Sequence, residues 1–119
     1  MFRTTLIKAS AALLLAGTAQ AADAPAAFTV CKSCHKVEAG ANGVGPSLFG
    51  VYGAKAGTAA SGFKYSPALS GSGKVWDEAA LGAYLADPKT VVPGNKMVFA
   101  GLKSADDIKA VVAYLATLK

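Results

Sequence analysis

Apolar residues recur at helical spacing near the end of the chain, where Ile108, Val111, Val112, Leu115 and Leu118 fall on one face. Ser104, with Asp107 three residues on, resembles a capping box that starts this helix, aspartate standing where glutamate is commoner. A second helix is predicted over Asp77 to Ala86. Its first turn holds Asp77 and Glu78, its apolar stripe is Leu81, Tyr84 and Leu85, and Pro88 follows its end. Lys89 to Val92 adds one turn before Pro93-Gly94 breaks the chain. Near the other end, Pro25 to Lys36 is predicted helical, with Ala26, Ala27, Phe28 and Val30 leading into a pair of cysteines.

Between these helices the pattern changes. From Val37 to Lys74 the chain is punctuated by glycine and proline, as in Asn42-Gly43, Gly45-Pro46, Gly50, Gly53, Gly57, Gly62 and Pro67. Such spacing suits looped backbone with tight turns and excludes long helices and regular strands. No alternating pattern suggests a sheet. The expectation is one small all-α domain with helices at both ends and a glycine-rich middle.

The first residues have a different character. Met1 to Lys8 carries Arg3 and Lys8 without an acid, Ala9 to Ala16 is a short apolar run, and Ala19-Gln20-Ala21 is a small-residue cleavage signature. This is the pattern of a secretory signal peptide. The apolar run falls well short of the ~20 residues that span a bilayer. Cleavage is expected after Ala21, with Ala22 the next choice, dividing the chain into a leader (1–21) and one domain (22–119). Removing Arg3 and Lys8 lowers the formal charge from +5 to +3. The lysines that remain are scattered singly, so nothing resembles a nucleic-acid-binding arm. A mild positive excess instead suits steering toward an acidic protein partner. No later segment reads as a membrane insertion, so an exported, soluble product is expected.

The chemistry concentrates in Cys31-Lys32-Ser33-Cys34-His35. Residues three and four apart share a face of a helix or turn, so both thiols and the imidazole can address one ligand. C-x-x-C-H is the haem-attachment signature, and an export signal fits attachment outside the cytoplasm. Cys31 and Cys34 would bond the two vinyl groups, and His35 would rise beneath the iron. Three other readings compete. A redox dithiol normally accompanies a βαβ pattern, which is missing here. Structural zinc needs four ligands, and this chain offers one histidine and no third cysteine. A structural disulfide is compatible with export.

After processing, Met97 is the sole methionine and His35 the sole histidine. Met97 lies in the turn-rich Val92-Pro93-Gly94-Asn95-Lys96-Met97 rather than on an apolar helix face. It is the expected second axial ligand; an ordinary core methionine, with Lys96 or water at the iron, is the alternative. His/Met ligation raises the haem potential and fills both axial sites, which favours electron transfer over oxygen chemistry.

With these motifs in order, the chain resembles the class I cytochromes c of the bacterial periplasmic and mitochondrial type. The likeness runs from Cys31-Lys32-Ser33-Cys34-His35 through Gly45-Pro46-Ser47-Leu48-Phe49-Gly50, Gly62-Phe63-Lys64-Tyr65, Trp76 and Tyr84. It continues into Pro93-Gly94-Asn95-Lys96-Met97-Val98-Phe99-Ala100-Gly101 and the helix around Val111 to Leu115. The resemblance implies terminal helices packed together and glycine-rich loops wrapping one covalently bound haem c. It also implies that the Pro46 carbonyl accepts the proton on the free ring nitrogen of His35. Tyr65 and Trp76 would hydrogen-bond a buried haem propionate, and Tyr84 would stand beside the methionine sulfur. Phe28, Phe49, Phe63 and Phe99 read as core packing.

Three positions depart from the family pattern. Ala54 and Leu69 stand where many members carry an arginine and an asparagine, and Asn95 replaces a common threonine. The function implied is that of a monomeric periplasmic electron carrier in a respiratory or photosynthetic chain, without an enzymatic role. Its donor would be a cytochrome bc-type complex and its acceptor a terminal oxidase or photosynthetic reaction centre. Lys89, Lys96 and Lys103 resemble docking positions. Two other functions use the same residues. An iron left open by dissociation of Met97 would reduce peroxide or bind a small ligand, and a haem-free chain would be an exported dithiol protein.

Overall fold

The computed structural model describes residues 23–119, so the expected leader over residues 1–21 lies outside the described part. The elements in chain order are a 3-10 helix, η1 (Ala26–Ser33), and four α-helices. These are α1 (Pro67–Ser70), α2 (Glu78–Ala86), α3 (Pro88–Val91) and α4 (Ala105–Ala116). Among the described residues there is no strand, only an isolated antiparallel bridge between Lys55 and Val75. No described helix is long and apolar enough to cross a membrane.

Where the ends of a helix are written in local chemistry, the boundaries match the sequence pattern. The Ser104 hydroxyl accepts from the Asp107 N–H at 3.3 Å and starts α4. An Asp77 carboxylate oxygen accepts from the Ala80 N–H at 2.8 Å and starts α2. Asp77 is thus the cap rather than the first helical residue. The final turn expected over Lys89 to Val92 sits one residue earlier, because the Asp87 carboxylate caps it and Pro88 takes the first position.

Two elements differ from expectation. The helix expected from Pro25 to Lys36 is shorter and wound as 3-10. Its end comes where the Cys31 carbonyl accepts from both the Cys34 N–H, at 3.2 Å, and the His35 N–H, at 2.9 Å. This pair of hydrogen bonds to one carbonyl closes the cysteine motif as a turn and sends Lys36 away in a new direction. The short helix α1 lies inside the segment read as loop. Ser66 caps it, accepting from the Leu69 N–H at 3.2 Å, and Pro67 occupies its first position.

The core forms where η1 and α2 both pack on α4, with α3 held against α2. Phe28 of η1 is fully buried and meets Tyr114 of α4 edge-on, ring centroids 4.8 Å apart. Around that pair lie Val111 and Leu115 of α4 and Leu81, Tyr84 and Leu85 of α2. Burying each such side chain contributes roughly 1.5–3 kcal/mol. The stripe expected on α4 is buried at Val111, Val112, Leu115 and Leu118, whereas Ile108 is half-buried. Tyr114, outside that stripe, is buried because η1 crosses α4 and supplies Phe28 as its partner.

The terminal helices are therefore packed together, as the resemblance implied. The Leu102 N–H donates to the Leu85 carbonyl at 2.7 Å, drawing the chain after Met97 back against the end of α2. Gly101 makes this approach feasible. Its φ is +114°, and a Cβ there would fall on the Ala86 carbonyl oxygen.

Candidate functional site

A cavity of about 490 Å³ opens between η1, α2, α4 and the loops. Its size lies within the roughly 300–1,000 Å³ of small-molecule sites, and most of its wall is apolar. All eight residues singled out for cofactor or iron contact line it: Cys31, Cys34, His35, Pro46, Tyr65, Trp76, Tyr84 and Met97. They come from positions up to 66 residues apart, Cys31 to Met97, so only the fold brings them together.

On one wall stand the cysteines and the histidine. The two sulfurs are unbridged; Cys31 is half-buried and Cys34 exposed. Burial pushes the Cys31 thiol above its ordinary pKa, partly offset by a backbone hydrogen bond. Nδ1 of His35 lies 2.7 Å from the Pro46 carbonyl oxygen. A carbonyl only accepts, so Nδ1 carries the proton, and in the neutral tautomer this fixes, Nε2 is the nitrogen with the lone pair. Gly45 lies flat against the imidazole, for a Cβ there would come within 2.7 Å of Cε1 and 2.9 Å of Nδ1. The loop is held in turn. The Gly45 N–H donates to the Cys34 carbonyl at 2.9 Å, and the Ser47 N–H donates to Oδ1 of Asn42 at 3.0 Å.

Other parts of the wall carry the aromatics and Met97. The Tyr65 hydroxyl oxygen accepts from the Ala60 N–H at 2.8 Å, which leaves its own proton to donate. The rings of Trp76 and Tyr84 are tilted against each other with centroids 4.8 Å apart. Burial raises the Tyr84 phenol above its ordinary pKa, so it stays protonated and neutral. The main chain of Trp76 is fixed by its N–H donating to the Ala54 carbonyl at 2.8 Å. Met97 is half-buried on the segment that follows α3.

Some expectations need correction. Phe63 and Phe99 are not core residues but half-buried members of the cavity wall. The loops carrying them flank the cavity and offer no helix face to pack on. Phe63 instead meets Tyr65 edge-on with centroids 5.1 Å apart. Phe28 serves both core and wall, while Phe49 is half-buried beside Leu118 in a separate cleft. Of the three lysines suggested for docking, Lys96 lines the cavity. Lys89 and Lys103 are not among its lining residues, and the Lys103 ammonium donates to the Ala100 carbonyl at 3.2 Å. Lys64 does line the cavity, although nothing in its local sequence marks it. Val44 and Val98 are 83% and 97% exposed beside the same opening, a placement that no hydrophobic pattern signals.

The donor set fits a covalently held haem. Two thiols sit a turn apart, and one imidazole has its remote nitrogen already committed. A thioether is present, and apolar walls enclose the space. A helical domain with this cavity defines a small haem-attachment protein.

Comparison with known proteins agrees. The family model for cytochrome c matches residues 21–119. The chain is 71% identical over 98 residues to cytochrome c2 iso-2 of Magnetospirillum molischianum, covering 82% of this chain and all of that relative. It is 62% identical over 98 residues to cytochrome c2 of Rhodoplanes tepidamans, covering 82% of this chain and 99% of that one. The solved structure of cytochrome cH from Methylobacterium extorquens superposes with a TM-score of 0.73 at 53% identity, covering 76% of this chain and 91% of that one. The chain belongs to the cytochrome c family, as a class I monohaem member. Its cofactor is one covalently attached haem c, and its work is electron transport with redox protein partners.

Proposed function

We propose that this protein is an exported one-electron carrier whose haem is bonded by Cys31 and Cys34 and ligated axially by His35 and Met97. The observation that carries this reading is the 2.7 Å hydrogen bond between His35 Nδ1 and the Pro46 carbonyl, which leaves Nε2 as the imidazole's only free donor atom. Bound haem supplies a ferric/ferrous couple. The chain's residues bind it, orient it and keep water from it.

Pro46 fixes the tautomer and ring plane of His35, and Gly45 permits the ring to lie against the loop. Tyr65, with its hydroxyl proton uncommitted, would donate to a haem propionate, and Trp76 would share that role. Tyr84 stands with Met97 on the cavity wall as a neutral, polar-tipped side chain. Phe28, Leu81, Leu85, Val111 and Leu115 make the interior dry. The exposed Val44 and Val98, with Lys64 and Lys96, surround the opening through which a partner approaches. Apolar contact at such a site, flanked by the positive charges of Lys64 and Lys96, suits a transient acidic partner.

The rest of the reading follows from the sequence and the relatives. Residues 1–21 are a cleaved leader, 22–119 the cytochrome domain, and the periplasm its compartment. The carrier works as a monomer between a cytochrome bc-type complex and a terminal oxidase or photosynthetic reaction centre. Lys89, Lys96 and Lys103 assist docking, and no enzymatic step is involved.

The test is the oxidised and reduced absorption spectrum of protein purified from the exported fraction, with the mass of the intact chain. Sharp reduced haem c bands, the weak near-infrared sulfur-to-iron band when oxidised, and a chain starting at Ala22 are expected. Haem bands without the sulfur band would replace Met97 and turn the reading toward an open iron. A haem-free mass from a host able to attach haem would return Cys31 and Cys34 to dithiol chemistry.

A further inference from the structure

The segment bearing Met97 is weakly held by its own main chain. Between Asn95 and Leu102 no main-chain-to-main-chain hydrogen bond forms among the described residues. Burial does not compensate, since Lys96, Val98 and Ala100 are exposed and Met97 is half-buried. A ligand carried on such a segment would be expected to swing away readily, because few contacts oppose local opening.

The Lys103 ammonium reaches only the Ala100 carbonyl near the segment's far end; Asn95 is the side chain that ties the segment to α3. Asn95 donates from Nδ2 to the Pro88 carbonyl at 2.9 Å and to the Val92 carbonyl at 2.8 Å. Its Oδ1 accepts from the Met97 N–H at 2.9 Å. The partners fix which way the carboxamide points: two carbonyls require the NH2 group and an N–H requires the oxygen. The reversal between α3 and Met97 brings these groups together through Gly94, whose φ is +86°. The Asn95 N–H adds a bond to the Val92 carbonyl at 3.2 Å. Both carbonyls belong to the ends of α3, which packs on α2, which packs on α4. The main chain of Met97 is thereby joined to the helical core through a single carboxamide.

We propose that Asn95 is a positioning residue that keeps the Met97 segment closed over the cavity and so sets how often the sulfur leaves the iron. The inference rests on Met97 being the axial ligand. It predicts that the two donor bonds to α3 carry the effect, since the acceptor bond alone ties Met97 only to its own segment.

The test uses the attached-haem protein. Saturating imidazole displaces the sulfur at a rate limited by opening of the segment, followed by loss of the sulfur-to-iron band. Asn95→Asp keeps an oxygen for the Met97 N–H and removes both donors; Asn95→Ala removes all three bonds. Both are expected to accelerate displacement about tenfold, equivalent to about 1.4 kcal/mol. Val112→Ala, buried on α4 and away from the cavity lining, lowers overall stability without touching the segment and should leave displacement unchanged.

A wild-type rate in Asn95→Asp, with the band present in the parent protein, overturns this inference alone. Equal acceleration in Val112→Ala also overturns it, by reducing the effect to global stability. Absence of the band in the parent protein refutes Met97 as the ligand, and this inference with it.

Discussion

The imidazole of His35 and the carbonyl of Pro46 lie 2.7 Å apart across a loop in which Gly45 presses directly on the ring. The hydrogen bond sets the tautomer, and the missing Cβ permits the contact. Neither works without the other, because a side chain at position 45 would push the loop off the ring it must bond.

Gly45→Ala should therefore act on His35 rather than on helix formation. The new methyl group meets a ring held by its hydrogen bond to Pro46, so the loop must shift, at a cost of about 1–3 kcal/mol for overpacking. Chemical denaturation of the holoprotein would measure that loss. A changed reduction potential would report the weakened bond to Pro46. Wild-type values of both would mean the loop yields freely.

Met97→Ala should leave the haem attached, because Cys31 and Cys34 are untouched, and remove the sulfur-to-iron band. The variant is expected to bind imidazole without the delay imposed by displacing a thioether. An unchanged oxidised spectrum would show that another group holds the iron.

Gly101→Ala tests the return of the chain to α2. Its positive φ and the collision with the Ala86 carbonyl each cost about 1–3 kcal/mol. Together they should lower stability by about 2 kcal/mol or more. The weakened Leu102 to Leu85 hydrogen bond should appear as faster amide exchange at Leu102, with exchange in η1 less affected.

Asp87 gives a pH dependence with a definite sign. Its carboxyl lies below the usual range chiefly because the Thr90 side chain donates to it, with smaller help from the Thr90 N–H and Lys103. A depressed carboxylate stabilises the fold above its unfolded pKa and loses that contribution as pH falls through the folded value. The advantage of wild type over Asp87→Asn should thus be constant near neutrality and shrink below about pH 4. Denaturation midpoints across that range would check it; an advantage that grows in acid would contradict the assignment.

Much of this fold is legible in the sequence itself. Helices α2 and α4 follow from caps and apolar spacing, both of which act within a few residues. The cysteine motif is equally local, because covalent attachment needs two thiols and an imidazole on one turn. Even α1 had a local signal in Ser66-Pro67, a cap followed by a proline at the first helical position, which the surrounding glycines obscured.

What tertiary structure alone decided are relationships between distant segments. Tyr114 is buried because η1 brings Phe28 across it, and Phe63 and Phe99 face the cavity because the loops carrying them close around it. Lys64 joins Lys96 beside the opening, while Lys103 reaches the Ala100 carbonyl. Gly45 meets His35 ten positions away, and Asn95 bonds a carbonyl seven positions back. Sequence determined the short-range items because hydrogen-bond reach and helical periodicity operate within one or two turns. It left the others open because which loop lies against which wall depends on the packing of the whole chain around one cavity.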